Sequence, residues 1–141
     1  MELEFFTQDD LDKYENWIDE LFRIKIPVRL DGRNEEIKAN RNHYRVGAAL
    51  KRKNMELCYP YIKNQCKKKF EKIQIGFAWH IKNKRRDPDN IRSADKYVLD
   101  AVVQSEVIPD DNLKHIVGFL GDIFILNKDC DKVEVFIKEI E

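Results

Sequence analysis

The chain has 141 residues, of which 43% are hydrophobic, and it carries 26 acidic and 26 basic residues. This size suits one compact domain with a single core and leaves little room for a second. No apolar run approaches the roughly 20 residues that cross a bilayer, and the acidic start is unlike a secretory signal, so we expect a cytoplasmic protein without a membrane partner.

Charge is distributed unevenly along the chain. The first 20 residues contain eight acids and one base, so this segment has a charge of −7 and the remainder has +7. The apolar residues of 9–21 recur at intervals of three and four, which predicts an acidic amphipathic helix with Thr7 or Asp9 as its N-cap. We therefore divide the chain into an acidic helical extension, residues 1–21, and a basic domain, residues 22–141.

The remaining elements follow in chain order. Residues 22–28 alternate as a half-buried strand does and end at turn residues 31–34. Residues 44–70 predict a long helix with a basic outer face, which Pro60 must kink or interrupt. Residues 73–81 predict a strand, residues 94–105 a helix, and residues 115–126 and 133–140 two further strands. No repeat or linker divides this unit.

Two groups of carboxylates are candidates for metal chemistry. Asp87 and Asp89 stand where a strand gives way to a helix, and hard oxygen ligands of this kind suit magnesium or manganese. Asp110 and Asp111 lie beyond the helix, and about 15 helical residues span about 22 Å, so the two groups meet only if the chain folds back. On spacing alone, helix capping and an ordinary turn explain these residues at least as well.

Basic residues surround the first group. Lys96 lies seven positions after Asp89 and four before Asp100, so it projects toward the acidic cluster or forms a surface ion pair. The run Lys82, Lys84, Arg85 and Arg86 is either a solvated strand end or a contact for DNA phosphates. The three cysteines lack the spacing of a zinc site or disulfide framework, and His80 is expected to be packed or exposed at a strand edge rather than catalytic.

Three segments in order carry a family resemblance: Arg-Asp-Pro-Asp-Asn-Ile at 86–91, Asp-Lys-Tyr-Val-Leu-Asp-Ala-Val at 95–102 and Val-Ile-Pro-Asp-Asp at 107–111. Together they resemble the RusA family of Holliday junction resolvases. The likeness is strongest over residues 85–111 and fainter elsewhere, and residues 1–20 have no counterpart. The resemblance implies a single α/β or α+β domain with a mixed sheet packed by helices, acting as a homodimer.

The resemblance also implies roles for individual residues. The metal ligands for Mg²⁺ or Mn²⁺ fall on Asp87, Asp89 and Asp111. The cleavage lysine falls on Lys96, with Asp100 and Asp110 in support. Because the spacing from the Asp-Pro-Asp-Asn motif to this lysine is three residues longer here than in the best-known bacterial member, Arg92 is the alternative cation. The four basic residues of 82–86 would hold the DNA backbone.

The implied function is paired cutting of branched DNA in recombination and repair, with a divalent metal, no organic cofactor and an expected phage or prophage origin. The alternative from a different class is a branched-DNA-binding or replication-associated module of the same fold that cuts weakly or not at all. A restriction-type nuclease is disfavoured, because neither Pro-Asp sequence is followed by the Asp/Glu-x-Lys motif of that class.

Overall fold

The computed structural model describes residues 3–141, in which a mixed five-stranded sheet is packed by helices. The elements are β1 (Glu4–Phe5), α1 (Gln8–Glu20), β2 (Phe22–Ile26), α2 (Arg33–Asn42), α3 (Tyr44–Gln65), β3 (Ile73–Ile81), α4 (Pro88–Arg92), α5 (Asp95–Gln104), β4 (Ile116–Leu126) and β5 (Lys132–Glu139). The strand order is β1-β4-β3-β5-β2, and only β3 and β4 among these described strands pair in parallel. The prediction of an α+β domain with a mixed sheet is therefore confirmed.

The central strand β3 separates two apolar cores. Its alternate side chains Ile75, Phe77 and Trp79 face the larger core, which α3 and α5 cover. Ala78 faces the smaller core with Trp17 of α1. A strand buried on both faces reads as a nearly continuous apolar run, which explains why β3 has the bounds that the sequence predicts.

The acidic helical extension (the acidic leader, described here over residues 3–21) is part of this fold rather than an appendage to it. Thr7 caps α1 by accepting a hydrogen bond from the Asp10 backbone nitrogen at 3.1 Å. Trp17 is buried against Phe136, with ring centroids 5.2 Å apart. The two-residue strand β1 also joins the sheet beside β4. The predicted helix is present, but the division at residue 21 does not separate it from the core, because α1 covers one face of the sheet.

Two other expectations are corrected. The turn at 31–34 opens helix α2, whose start is stabilised by a hydrogen bond from the Gly32 backbone nitrogen to Glu35 Oε2 at 3.1 Å. Helix α3 continues past Pro60 and ends at Gln65, before the predicted residue 70. Because Cys58 and Ile62 on either side of Pro60 are fully buried, their packing outweighs the missing backbone hydrogen bond.

Helices α4 and α5 form the crossover from β3 to the neighbouring parallel strand β4. The crossover carries the sequence motifs described above. Across the described residues, every helix is too short or too polar to span a lipid bilayer.

Candidate functional site

The first carboxylate pair lies at the beginning of α4. Asp87 is the N-cap residue with an extended backbone, Pro88 takes the first helical position, and Asp89 lies in the first turn. Proline fits this position because its missing N–H would have no partner there. The side chains of Asp87 and Asp89 are exposed, and within residues 3–141 neither carboxylate accepts a protein hydrogen bond within standard geometry. Both are therefore available to a ligand.

Asn90 fixes the position of this pair. It is buried, and its Oδ1 accepts a hydrogen bond from the Asn34 backbone nitrogen of α2 at 2.8 Å. The backbone of Gly32 passes so close that a Cβ there would lie 2.4 Å from Asn90 Oδ1. The asparagine of the Asp-Pro-Asp-Asn motif thus holds α4 against the start of α2, and Gly32 is needed for that approach.

Lys96 and Asp111 meet although 15 positions separate them. Lys96 Nζ lies 2.7 Å from Asp111 Oδ2 and 3.0 Å from Asp100 Oδ1. The hydrogen bond from Lys96 holds the pKa of Asp111 below its ordinary value, and the same bond, with Asp100, raises the pKa of Lys96. Asp110 supports the turn, because its Oδ1 accepts a hydrogen bond from the Asp111 backbone nitrogen at 2.8 Å.

Arg92 points to a different carboxylate. Its Nε lies 3.1 Å from Oδ2 of Asp122 on β4, and Asp122 Oδ1 accepts a hydrogen bond from Trp79 Nε1 at 2.8 Å. Burial and the nearby charge of Asp122 raise the pKa of Asp95, the first residue of α5. The sequence does not single out Asp122, because it lies within an apolar strand with no motif around it.

A cleft of about 410 Å³ opens beside the Lys96–Asp111 pair. Its lining includes Asp100 and Asp110, and on its other side Lys51 and Arg52 of α3. From the sequence, residues 44–70 predict a long helix with a basic outer face, but neither Lys51 nor Arg52 is assigned to a site. Their position opposite α5 depends on the packing of α3 against α5, which periodicity alone does not specify.

The basic run after β3 divides into outward and inward residues. Lys82, Lys84 and Arg85 are exposed, whereas Arg86 is half-buried and its Nη1 donates to the Leu30 carbonyl oxygen at 3.3 Å. Burial, followed by the charge of Arg29, lowers the pKa of Arg86. Three of the four predicted phosphate contacts are therefore free to meet a ligand, and Arg86 has a structural contact as well.

The donors suit a divalent ion, but they are not gathered into one cage. Carboxylate oxygens are the ligands that Mg²⁺ prefers. Within residues 3–141, no group of three His, Cys, Asp or Glu side chains is placed to hold a metal together. Mg²⁺ is commonly held by one or two carboxylates with waters and substrate phosphates, so the exposed Asp87–Asp89 pair fits it. Asp111 is engaged by Lys96 and is not gathered with this pair in the described residues.

His80 has no part in this site. It is buried in β3, and its Nε2 donates to Glu134 Oε1 at 2.8 Å in the smaller core. Of the two expected placements of His80, packed or exposed at a strand edge, the structure shows the packed one.

No protein-family model matches the chain, and no curated protein matches it at a significant level.

Proposed function

We propose that this protein is a metal-dependent endodeoxyribonuclease that cuts four-way DNA junctions in recombination and repair. The observation that carries the proposal is the contact of 2.7 Å between Lys96 and Asp111 beside a cleft with cations on its far wall. The resemblance to RusA resolvases puts a cleavage lysine and a metal ligand at these two positions. The function, the homodimer and a cytoplasmic location belong to the proposal together.

Lys96 supplies the positive charge nearest the cleft's acidic residues. Because its pKa is raised by Asp111 and Asp100, its ammonium group stays protonated at neutral pH. A phosphodiester entering the cleft competes with Asp111 for that ammonium, and the lysine then offsets the charge that develops on the phosphoryl oxygens. Asp100 lies one helical turn from Lys96, and its ion pair keeps the lysine side chain oriented after the hydrogen bond to Asp111 is lost.

Asp87, Asp89 and Asp111 would hold Mg²⁺ or Mn²⁺. When bound, such an ion lowers the pKa of water and offsets charge on the leaving oxygen. Water adds to phosphorus and the bond to the 3′ oxygen breaks, so the products carry a 5′-phosphate and a 3′-hydroxyl.

Cations on two sides would hold the DNA backbone without reading bases. Lys51 and Arg52 line the cleft from α3, and Lys82, Lys84 and Arg85 precede α4. The carboxylates beside these cations repel phosphate unless their charge is neutralised, so binding is expected to depend on both salt and divalent ions.

Asp89→Asn tests the proposal. With Mg²⁺ or Mn²⁺, the unmodified protein should place paired nicks in a synthetic mobile four-way junction, and the variant should not. In gel shifts without divalent ions the variant should bind the junction as well or more tightly, because a repulsive charge is lost. The control is Asp19→Asn, which makes the same charge change at an exposed position of α1.

Cleavage by Asp89→Asn at the unmodified rate would contradict the assigned role. If the unmodified protein binds the junction but leaves it uncut with either metal, the alternative of a non-cleaving branched-DNA-binding module is correct. Nicks in linear duplex as frequent as those in the junction would indicate a general nuclease.

A further inference from the structure

An exposed aromatic ring lies at the start of α3. Tyr44 is 69% exposed, more than any other aromatic side chain in residues 3–141. The His43 ring lies against it, with centroids 4.4 Å apart and planes tilted by 32°. The guanidinium carbon of Arg45 lies 5.8 Å from the centroid of the Tyr44 ring. The ring is thus supported by two neighbours and is open to solvent over most of its surface.

Local hydrogen bonds hold this ring in place. His43 is the N-cap of α3, and its Nδ1 accepts a hydrogen bond from the Arg45 backbone nitrogen at 3.1 Å, which fixes the imidazole. Arg45 Nε donates to the Tyr44 hydroxyl oxygen at 3.4 Å. A side chain that is already oriented loses little conformational entropy when a ligand packs on it. Tyr44 is therefore a preformed contact surface.

The ring lies on the side of α3 that faces the cleft. Lys51 and Met55, seven and eleven residues after Tyr44, both line the cleft beside Lys96. Seven residues are two turns of a helix, so Tyr44 and Lys51 lie on the same side, about 10 Å apart along the helix axis. A strand that enters the cleft and continues along α3 therefore reaches the Tyr44 ring.

The charge around the ring suits a nucleic-acid strand. Residues 37–55 contain six lysines and arginines and no acidic residue. Within the part of the chain that the structure describes, four of these cations form no ion pair: Lys38, Arg41, Arg45 and Arg52. Proteins that hold single strands combine cations for the phosphates with aromatic rings on which bases stack. An apolar protein partner would leave these cations without a role.

We propose that Tyr44 stacks on an unpaired base of the DNA strand whose phosphate lies in the cleft beside Lys96. At 3.4 Å per nucleotide, the distance from Lys51 to Tyr44 corresponds to about three nucleotides. A base inside a duplex has both faces covered by its neighbours, so it does not reach the ring. The protein therefore prefers branched DNA that has unpaired bases beside the branch point.

This inference rests on the proposed function, because it assumes that a DNA strand occupies the cleft. It adds the class of branched DNA that binds best. Every base has a π-face, so stacking contributes affinity without reading the sequence. Binding measured without divalent ions therefore reports on stacking, and cutting measured with Mg²⁺ or Mn²⁺ reports on the nuclease.

The first test compares two four-way junctions that have the same number of phosphates. Each carries three unpaired nucleotides at the branch point, which are thymidines in one junction and abasic residues in the other. In fluorescence anisotropy without divalent ions, the unmodified protein should bind the thymidine junction about fivefold or more tightly. Tyr44→Ala should bind both junctions equally, and Tyr44→Phe should keep the preference because it keeps the ring.

The control is Val46→Ala. Val46 is 45% exposed and lies two residues further along α3, on the opposite side of the helix, so this variant should keep the preference. Equal binding of the two junctions by the unmodified protein, or a preference that survives Tyr44→Ala, would overturn the stacking inference and leave the nuclease proposal standing. A preference that depends on Tyr44 in a protein that cuts no junction would support stacking and refute the nuclease. Failure to bind either junction would refute both.

The second test locates the contact directly. One unpaired thymine is replaced by 5-iodouracil, which forms a covalent bond to an aromatic ring stacked on it when it is irradiated. Mass spectrometry of the digested complex should find the cross-link at Tyr44, and the yield should fall in Tyr44→Ala but not in Val46→Ala. A cross-link found only at other residues would contradict the inference.

Discussion

Replacing Trp17 by alanine tests whether the acidic leader belongs to the core. The indole is 6% exposed and packs on Phe136, and the backbone of Gly76 passes so near that a Cβ there would lie 3.4 Å from Trp17 Cη2. Burial of an aromatic side chain removes about 150–250 Å² from water, which at about 25 cal/mol/Å² is worth about 4–6 kcal/mol. Since alanine keeps part of this, we expect a loss of about 3–5 kcal/mol.

Urea unfolding followed by far-UV circular dichroism measures this loss without relying on the removed tryptophan. The matched control is Ile18→Ala, since Ile18 is the next residue on α1 and is 39% exposed. It should change the free energy of unfolding by less than about 1 kcal/mol. If Trp17→Ala costs no more than Ile18→Ala, α1 does not cover the sheet in solution and the leader is an appendage after all.

Two further predictions concern ionisable contacts. Lys96→Met should raise the pKa of Asp111 toward its ordinary value, because the hydrogen bond that lowers this pKa is lost. An NMR titration of the Asp111 carboxyl carbon measures the change. An unchanged pKa would mean that Lys96 and Asp111 do not pair. Glu134→Gln should cost about 1–3 kcal/mol at neutral pH. Burial alone would raise the pKa of Glu134, but the hydrogen bond from His80 leaves this pKa below its ordinary value. The stabilisation by ionised Glu134 therefore exists above the ordinary pKa of a glutamate and is lost as pH falls through the lowered value. Chemical unfolding at a series of pH values should therefore find the cost shrinking in acid, and a cost that grows would contradict the sign.

The longer strands could be predicted from the sequence because their burial leaves a pattern of apolar residues, nearly continuous in β3 and alternating in β2. The predicted bounds of β3 match those observed, and those of β4 and β5 differ by a residue or so at either end. The two-residue strand β1 is too short to have a period. Helix α2 has one buried residue, Ala39, so it lacks an apolar stripe, and contacts to Glu35 and Asn90 define its start instead. The periodicity of apolar residues does not predict elements whose position depends on such tertiary contacts.

The candidate site was likewise predicted only in part from the sequence. The resemblance to RusA resolvases implied that Lys96 and Asp111 belong to one site, and the structure brings these two side chains into contact. The cations of α3 and the carboxylate of Asp122 were not predicted, because each reaches the region through sheet and helix packing. Asp87 and Asp89 lie at the start of a helix, as the sequence predicts. A metal ion shared by these two residues and Asp111 stays a prediction.

The crossover places the side chains of Arg92 and Lys96 beside different carboxylates. The crossover is broken between α4 and α5, and Ser93 and Ala94 form the turn between them. In one unbroken helix, Arg92 would lie one turn before Lys96 on the same face, and both cations would compete for one position. The break lets them diverge, so that Arg92 pairs with Asp122 on β4 while Lys96 reaches Asp111. Arg92 pairs with Asp122 and does not line the cleft, whereas Lys96 does, so Lys96 is the cation of this crossover that faces the cleft.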